Sequence, residues 1–233
     1  MTAGTLYVVA TPIGNLEDIT LRALRVLKEV GLVACEDTRR TRTLLTHFGI
    51  HVPVTSYFEH NKLAKGPAIL KTLREGKSVA LVTDAGTPGI SDPGFLLVRE
   101  AREAGIPVVP VPGPSAVVAA LSAAGIPADS FVFDGFLPVK PGKRIHRLEA
   151  LRELQMTLVC YESPHRILAA LEAIGQVFGQ AEIVVARELT KQFEEIVRGT
   201  PEALRERFAA GTVRGEFTLV IPYTKGPCPS PKP

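Results

Sequence analysis

The segment from Thr83 to Gly94, which reads T-D-A-G-T-P-G-I-S-D-P-G, constrains the fold of this chain more than any other stretch. It follows the apolar run Ser78–Val82, which has the length of a buried strand, and it precedes a helical pattern that opens at Phe95. Its glycines permit close backbone approach, and its prolines fix φ and remove hydrogen-bond donors. In open α/β sheets, ligands bind at loops on the carboxyl ends of strands. The alternative is an ordinary strand-to-helix turn, and the spacing matches neither the dinucleotide nor the P-loop fingerprint.

Strand-like and helical patterns alternate along the first half of the chain, which predicts a largely parallel sheet. The predicted strands are Thr5–Ala10, Leu32–Cys35, Ser78–Val82 and Pro107–Val111. The predicted helices run from an N-cap at Asp18 to Gly31 with Leu21, Leu24, Leu27 and Val30 on one face, up to Phe48, over Lys62–Glu75, and up to Gly105. Because parallel strands share their carboxyl edge, the Pro/Gly loops 11–15, 83–94 and 112–115 are expected at one edge of the sheet.

The second half differs in character, so we predict α/β domains over residues 1–113 and 114–223, with a mixed sheet in the second and a disordered tail over 224–233. The expected second-half strands are Ser130–Gly135, Thr157–Tyr161, Glu182–Ala186, an edge strand at Glu194–Gly199, and Glu216–Pro222. The expected helices are Ala116–Ala124, one ending near Ile174, and one with Thr200 as N-cap and Pro201 at its first position.

Composition excludes some classes of protein. No apolar run is long enough to span a bilayer, and no basic region precedes an apolar core at the N-terminus. The three cysteines are far apart and without metal-ligand spacing, which indicates reduced thiols, no metal site and a cytoplasmic location. The net charge of +3 allows an anionic partner without requiring one.

Charged side chains follow the first-half strands where a ligand would bind. Glu36 or Asp37 is a candidate proton acceptor, and Arg39 and Arg40 are candidate phosphate ligands, although acids before bases also suit an ordinary helix start. Asp84 either meets a ligand or caps loop amides. Asp92 is expected to form a turn. For His60 and Asn61, the sequence leaves open whether they serve the structure or bind a ligand.

The second half carries three charged segments. Residues 140–152, part loop and part helix, hold six basic groups and few acids, so they form either a solvated face or an anion-binding surface. Glu162–Arg166 and Arg187–Lys191 each follow an apolar strand, where such pairs are often structural. Lys191 is the residue there best suited to contact a phosphate.

Seven motifs, in order, resemble one family over residues 5–223. They are V-A-T-P-I-G-N-L-E-D-I-T, E-D-T-R-R-T, Y-F-E-H-N, T-D-A-G-T-P-G-I-S-D-P-G, P-G-P-S-A, Y-E-S-P-H-R and A-R-E-L-T-K. The family is that of the bacterial small-subunit (16S) ribosomal RNA cytidine-2′-O-methyltransferases, in the tetrapyrrole-methylase-like superfamily. The motifs contain no departure from the family pattern.

The resemblance implies two α/β domains of the tetrapyrrole-methylase-like fold, a homodimer, and S-adenosylmethionine bound in the cleft between the domains. It implies methyl transfer to a cytidine ribose in the decoding centre of 16S ribosomal RNA, with the assembled small subunit as the expected partner. The residues implied for the cofactor are Ile13, Asp84, Thr87, Pro112, Gly113, Ser115, Tyr161, Ala186 and Phe217.

Catalysis of such a transfer is mostly alignment of the oxygen, carbon and sulfur, helped by a base that accepts the hydroxyl proton. Our hypothesis is that Glu36 or Asp37 is that base and that Lys191 or Arg39 orients the sugar-phosphate. The expected substrate contacts are Arg39, Arg40, His60, Asn61, Arg144, Arg147 and Arg166. A tetrapyrrole methylase and a non-catalytic RNA-binding module are the competing interpretations.

Overall fold

The computed structural model describes residues 2–92 and 94–223 of the chain. The chain divides into two compact units, one ending at Ser115 and the other beginning at Ala116. The predicted tail at 224–233, with Cys228, lies outside the described residues. Across the two described ranges, the helices are all too short or too polar to cross a membrane.

The first unit is built on a parallel five-stranded sheet, as the strand and helix alternation predicts. Its strands are β1 (Leu6–Val9), β2 (Leu32–Cys35), β3 (Val54–Ser56), β4 (Val79–Leu81) and β5 (Val108–Val111). Its helices are α1 (Leu21–Glu29), α2 (Thr38–His47), α3 (Lys62–Arg74) and α4 (Gly94–Glu103). The strand order is β3-β2-β4-β1-β5, and every neighbouring pair is parallel.

The central strands of this sheet are buried on both faces, which explains their continuous apolar runs. Along β4, Ala80 belongs to the core cluster that includes Leu27 of α1 and Leu45 of α2. Its neighbour Leu81 belongs to the opposite cluster, with Leu73 of α3. Since successive strand side chains point to opposite faces, helices pack on both sides of the sheet, and the loops at the strand ends stay accessible.

Two local predictions in this unit are wrong. The α1 N-cap is Thr20, whose hydroxyl accepts from the Ala23 amide, because Asp18 lies instead in a 3₁₀ turn that precedes the helix. Leu21, predicted on the buried face of α1, is 86% exposed, since the buried stripe runs through Ala23, Val26 and Leu27. The short strand β3 was not predicted, and it extends the sheet beyond β2.

The second unit has a mixed five-stranded sheet, in agreement with the predicted fold class. Its strands are β6 (Phe131–Phe136), β7 (Thr157–Glu162), β8 (Ile183–Arg187), β9 (Glu195–Gly199) and β10 (Phe217–Ile221). Its helices are α5 (Ala116–Ala123), α6 (Pro141–Arg152), α7 (Ile167–Phe178) and α8 (Pro201–Ala209). The order is β6-β7-β10-β8-β9, with β6 parallel to β7 and the other pairs antiparallel.

The two faces of the second sheet carry different helices. Leu158, Cys160, Leu171 of α7 and Phe208 of α8 share one core cluster, so α7 and α8 cover that face together with α6. The helix α5 packs against β7 and β10. One prediction is corrected here: α7 continues four residues past Ile174, because Ile174 and Val177 are both buried. The segment 140–152 is helix from Pro141 onward, with Lys140 as the N-cap.

Gly4 tests the packing at the entry to β1. A Cβ there would lie 2.8 Å from the Ser78 nitrogen and closer still to the Lys77 carbonyl, so the backbone would have to move. We expect Gly4→Ala to lower the free energy of unfolding by roughly 1–3 kcal/mol, as overpacking does. Gly142→Ala is the matched control, because a Cβ at Gly142 meets no heavy atom within 4 Å, and helix propensity favours it by up to about 1 kcal/mol. Urea unfolding measures the free energy of unfolding of both variants, and equal changes would contradict the close packing at Gly4.

Candidate active site

The loops after β1 and β4 are joined by backbone hydrogen bonds at the carboxyl edge of the first sheet. The Thr11 amide donates to the Gly86 carbonyl over 2.9 Å, and the Gly86 amide donates back to the Thr11 carbonyl over 3.0 Å. The Thr11 hydroxyl donates to the Thr83 carbonyl over 3.0 Å. Because Gly86 has a φ of +86°, a region that L side chains rarely adopt, the pairing depends on glycine.

Asp84 connects the β4 loop to the β2 loop. Its Oδ1 accepts from the Asp37 amide at 3.0 Å, and its Oδ2 lies 3.4 Å from the Arg40 guanidinium. The sequence left open whether Asp84 caps a loop or binds a ligand. The structure shows the cap, and it leaves the carboxylate partly accessible beside Arg40.

Glu36 is the carboxylate at this edge whose surroundings favour proton uptake. Glu36 is an exposed residue, but partial desolvation of its carboxyl raises the pKa, and the charges of Asp84 and Asp92 raise it further. The Thr83 hydroxyl, 3.4 Å from Oε2, and the charge of Arg40 act in the opposite direction. A carboxylate with a raised pKa is a better proton acceptor near neutral pH than an ordinary one.

Asp37 has the opposite electrostatics. Its side chain accepts from the Arg39 guanidinium and from the Arg39 amide, which caps α2, and these bonds lower the pKa of Asp37 well below its ordinary value. An anion held in this way is a weak base. The structure therefore distinguishes two neighbours that the sequence left equivalent, and it favours Glu36.

The other predicted first-unit cofactor residues lie in the same group of loops. A Cβ on Gly86 would come 3.6 Å from Ile13, and the Thr87 hydroxyl lies 3.4 Å from the Pro114 carbonyl. Pro112 and Gly113 are exposed directly after β5, and Ser115 is half-buried. The edge is thus lined by backbone groups and small side chains.

A cavity of about 240 Å³ opens at this edge. Its lining residues are Thr11, Pro12, Leu16, Arg40, Thr41, Thr43, Leu44, Thr83 and Asp84. The threonines and Leu16 were not singled out by sequence, because threonine in a strand-end loop or a helix carries no distinctive signal. No grouping of His, Cys, Asp and Glu within residues 2–92 and 94–223 is arranged to hold a metal ion.

The loop after β3 reaches the same edge, since β3 is parallel to β2. The side-chain amide of Asn61 donates to the Ser56 hydroxyl at 3.0 Å, and its Oδ1 accepts from the backbone amide of Phe58 at 2.8 Å. These bonds shape the turn that starts α3. His60 is exposed and packs edge-on against Phe58 at 6.3 Å between ring centroids. As predicted, Asp92 forms a turn, by accepting from the Gly89 and Gly94 amides.

In the second unit, Tyr161 and Ala186 lie in one row of the sheet. Both are paired with Thr218 of β10, so all three side chains share one face. Phe217 points to the other face, where it is buried edge-on against Phe208 at 5.4 Å. Strand alternation therefore directs the Phe217 side chain into the core, and Thr218 is the β10 residue whose side chain lies on the same face as Tyr161 and Ala186.

Glu162 and Arg166 form a buried ion pair. Glu162 is 1% exposed, its Oε2 lies 3.3 Å from Arg166, and its Oε1 accepts from the Ser163 amide. Burial raises the pKa of Glu162, while the Ser163 amide and the charges of Arg166 and Arg144 counteract it. Removing one partner of such a pair costs more than the pair contributes.

The predicted RNA contacts in this unit already have protein partners. Arg144 is buried and donates to the Pro138 and Val139 carbonyls at 3.1 and 3.0 Å, and Arg166 donates to the Leu137 carbonyl. These two guanidiniums hold the segment between β6 and α6. Arg147 is exposed and pairs with Asp134.

Lys191 lies in a loop held by two glutamates. Its ammonium is 2.8 Å from Glu188 and 3.0 Å from Glu216. Partial burial opposes the charge, but these bonds outweigh it and raise the pKa of Lys191. Glu188 has a φ of +50°, and its side chain packs over Gly215. Lys191 is thus a fixed cation rather than a base.

The model of the family described as Tetrapyrrole (Corrin/Porphyrin) Methylases matches residues 5–205. Relatives named ribosomal RNA small subunit methyltransferase I are about half identical to this chain. The protein of Mesorhizobium japonicum is 52% identical over 93% of this chain and 74% of its own length. That of Pseudomonas aeruginosa is 52% identical over 97% of this chain and 82% of its own.

Solved structures share the fold at low sequence identity. A cobalt precorrin-4 methyltransferase superposes with a TM-score of 0.71 at 21% identity, over 94% of this chain and 95% of that one. A diphthine synthase superposes with a TM-score of 0.72 at 16% identity, over 96% of this chain and 92% of that one. At this distance the likeness shows the fold alone.

Opposite pKa shifts at Glu36 and Asp37 predict opposite pH effects on stability. The raised pKa of Glu36 means that its ionised form destabilises the fold, an effect that appears as pH rises above the ordinary glutamate value of about 4.3. We expect Glu36→Gln to gain stability relative to wild type between pH 4 and pH 8.

Asp37→Asn is the control of opposite sign. The lowered pKa of Asp37 stabilises the fold above the ordinary aspartate value of about 3.9, and that contribution disappears as pH falls through the lowered pKa. This variant should therefore be less stable than wild type at pH 8. Thermal unfolding across pH 3.5–8 measures both variants, and shifts in the same direction would contradict the electrostatics.

Proposed function

We propose that this chain, which belongs to the ribosomal RNA small subunit methyltransferase I family within the tetrapyrrole methylases, transfers a methyl group from S-adenosylmethionine to the 2′-oxygen of a cytidine ribose in the decoding centre of 16S ribosomal RNA. The relatives carry the ribosomal RNA substrate in their name. One observation of the structure supports the reaction: at the carboxyl edge of the first sheet, Glu36 has a raised pKa and lies 3.4 Å from the hydroxyl of Thr83, which lines the cavity.

The donor set at this edge fits S-adenosylmethionine. The molecule carries a positive sulfonium and an ammonium group, and the carboxylates of Asp84 and Asp92 lie close enough to Glu36 to raise its pKa. Backbone carbonyls and small side chains around Thr11 and Gly86 suit its nucleoside. The individual cofactor contacts remain predictions: Ile13, Asp84, Thr87, Pro112, Gly113 and Ser115 in the first unit, and Tyr161, Ala186 and Phe217 in the second. Because the Phe217 side chain lies in the core, Phe217 can contribute only its main chain on the Tyr161 face.

S-adenosylmethionine, when bound, supplies a methyl group that is already activated for transfer. The task left to the protein is to orient the ribose and to accept the proton of its hydroxyl. We assign proton acceptance to Glu36, because its raised pKa matches the task better than the lowered pKa of Asp37. Arg39 and Arg40 remain the candidate phosphate ligands of this edge, since both are exposed.

The second unit adds candidate RNA contacts. We keep Lys191 as a candidate for orienting the sugar-phosphate, since its raised pKa keeps it protonated while Glu188 and Glu216 hold its ammonium in place. Arg147 is an exposed cation on α6 and suits a phosphate, whereas Arg144 and Arg166 act by holding the β6–α6 segment. His60 and Asn61 stay predicted contacts. A homodimer, the assembled subunit as substrate and a cytoplasmic location belong to the same proposal.

The first test is methyl transfer from labelled S-adenosylmethionine to small subunits that lack this modification, with naked 16S ribosomal RNA in parallel. Mapping of the labelled nucleotide should place the label on the 2′-oxygen of a cytidine, with more label on assembled subunits. Label on a base instead would contradict the 2′-oxygen assignment. Absence of label on both RNAs, with cofactor still bound, would contradict an RNA acceptor.

Replacement of each acid by its amide tests the proton acceptor. With cofactor saturating, Glu36→Gln should lower kcat by roughly 10²- to 10⁴-fold, the usual contribution of a general base. Asp37→Asn should lower it far less. In wild type, kcat should fall as pH drops below the raised pKa of Glu36. A Glu36→Gln variant that keeps wild-type kcat would remove the assignment, provided that cofactor affinity is equal in both.

A further inference from the structure

Phe136 is an exposed aromatic side chain on the Tyr161 face of the second sheet. It is 52% exposed at the end of β6, which is an edge strand of the sheet within the described residues. Its ring packs against that of Tyr161 at 5.8 Å between centroids and a 61° angle. Tyr161 also packs against Phe133, at 4.9 Å. The Tyr161 ring, itself held by Phe133, thus restricts the orientation of Phe136, while the remaining surface of Phe136 faces solvent.

A β-bulge puts Phe136 on this face. Phe133 is paired with Val159, and two residues further along β7 Tyr161 is paired with Phe136 rather than with Gly135. Gly135 is the extra residue, with a φ of +66°. Without the bulge, strand alternation would turn Phe136 towards the face that α6, α7 and α8 cover. Bulges of this kind re-aim a side chain, and they occur next to active sites.

Basic side chains follow Phe136 closely along the chain. Arg147 of α6 pairs with Asp134 in the bulge, so α6 lies beside the end of β6. Lys140 and Lys143, at the start of that helix, are exposed. Arg144 and Arg166 fix the intervening segment through its backbone carbonyls. An exposed aromatic ring with exposed lysines a few residues further along the chain is a combination that suits single-stranded nucleic acid, with the ring stacking on a base and the cations contacting phosphates.

We propose that Phe136 stacks on a base of the ribosomal RNA, and that Lys140 and Lys143 bind the phosphates beside it. This inference rests on the proposed function and specifies how the same substrate is held. Tyr161 and the Gly135 bulge position the ring. Because stacking on an aromatic ring is sequence-tolerant, Phe136 contributes affinity and placement rather than the choice of cytidine.

Substitution of Phe136 tests the stacking. Phe136→Leu should raise the Kd for unmodified small subunits and for a cytidine-containing single-stranded RNA by about 5- to 150-fold, the range for loss of one stacked base. Phe136→Tyr should bind within about twofold of wild type, because it keeps the ring. The control is Phe131→Leu, since Phe131 is 42% exposed at the other end of the same strand and should bind as wild type does.

Salt dependence separates the ring from the cations. Stacking releases no counterions, so Phe136→Leu should leave the log–log slope of affinity against salt unchanged. Lys143→Ala should reduce that slope by about 0.7, the value for one phosphate contact on a single strand. A changed slope in Phe136→Leu would indicate a disturbed basic surface and would overturn the assignment to stacking.

Fluorescence gives a second readout, because the chain contains no tryptophan. Phe136→Trp is a single-tryptophan variant whose emission should be quenched by RNA and unaffected by S-adenosylmethionine alone, whereas Phe131→Trp should respond to neither. Quenching by the cofactor, or loss of cofactor affinity in Phe136→Leu with RNA binding intact, would overturn the proposal in favour of a cofactor contact.

The outcomes distinguish this inference from the proposed function. Wild-type protein that transfers no methyl group to small subunits contradicts the proposed function. Phe136→Leu that binds RNA as tightly as wild type overturns stacking, whatever the activity of wild type. If both RNA affinity and salt slope behave as expected, Phe136 is an RNA-binding residue even when methyl transfer uses another acceptor.

Discussion

The candidate site depends on the hydrogen bond from the Asp37 amide to the Asp84 carboxylate. It joins the loops that follow two adjacent parallel strands, β2 and β4, and the Thr11–Gly86 pairing joins the β1 loop to the same group. Parallel order brings all these loops to one edge. Since helices cover both faces of the sheet, this edge is where the unit can expose polar backbone without losing core.

Electrostatics at that edge give two adjacent acids different properties. Asp37 caps α2 and is held by Arg39, whereas Glu36 is partly desolvated beside two other carboxylates. Separate pKa values in neighbouring acids are a usual mark of assigned roles in catalysis. The second unit uses charge differently, because Glu162 with Arg166, and Lys191 with its two glutamates, fix the backbone of loops.

Much of the fold was predictable because it follows from local pattern. The parallel order of the first sheet, the mixed second sheet and the Thr200 cap were all correct. The errors arose where neighbours outweigh propensity. Leu21 is apolar yet exposed, and β3 is too short to show periodicity but pairs with β2. The bulge at Gly135 leaves no sequence signal beyond a glycine in a strand.

The sequence by itself determined the fold class, the family and the loops that form the candidate site, because motif spacing and hydrophobic period are properties of the chain alone. Only the tertiary structure decided what each side chain in those loops does. In the folded chain, Arg144 donates to backbone carbonyls and Phe217 is buried in the core. Phe136 is exposed and packs against Tyr161. Those assignments depend on which partner lies within hydrogen-bonding or packing distance, and contacts between residues distant in sequence are formed only by folding.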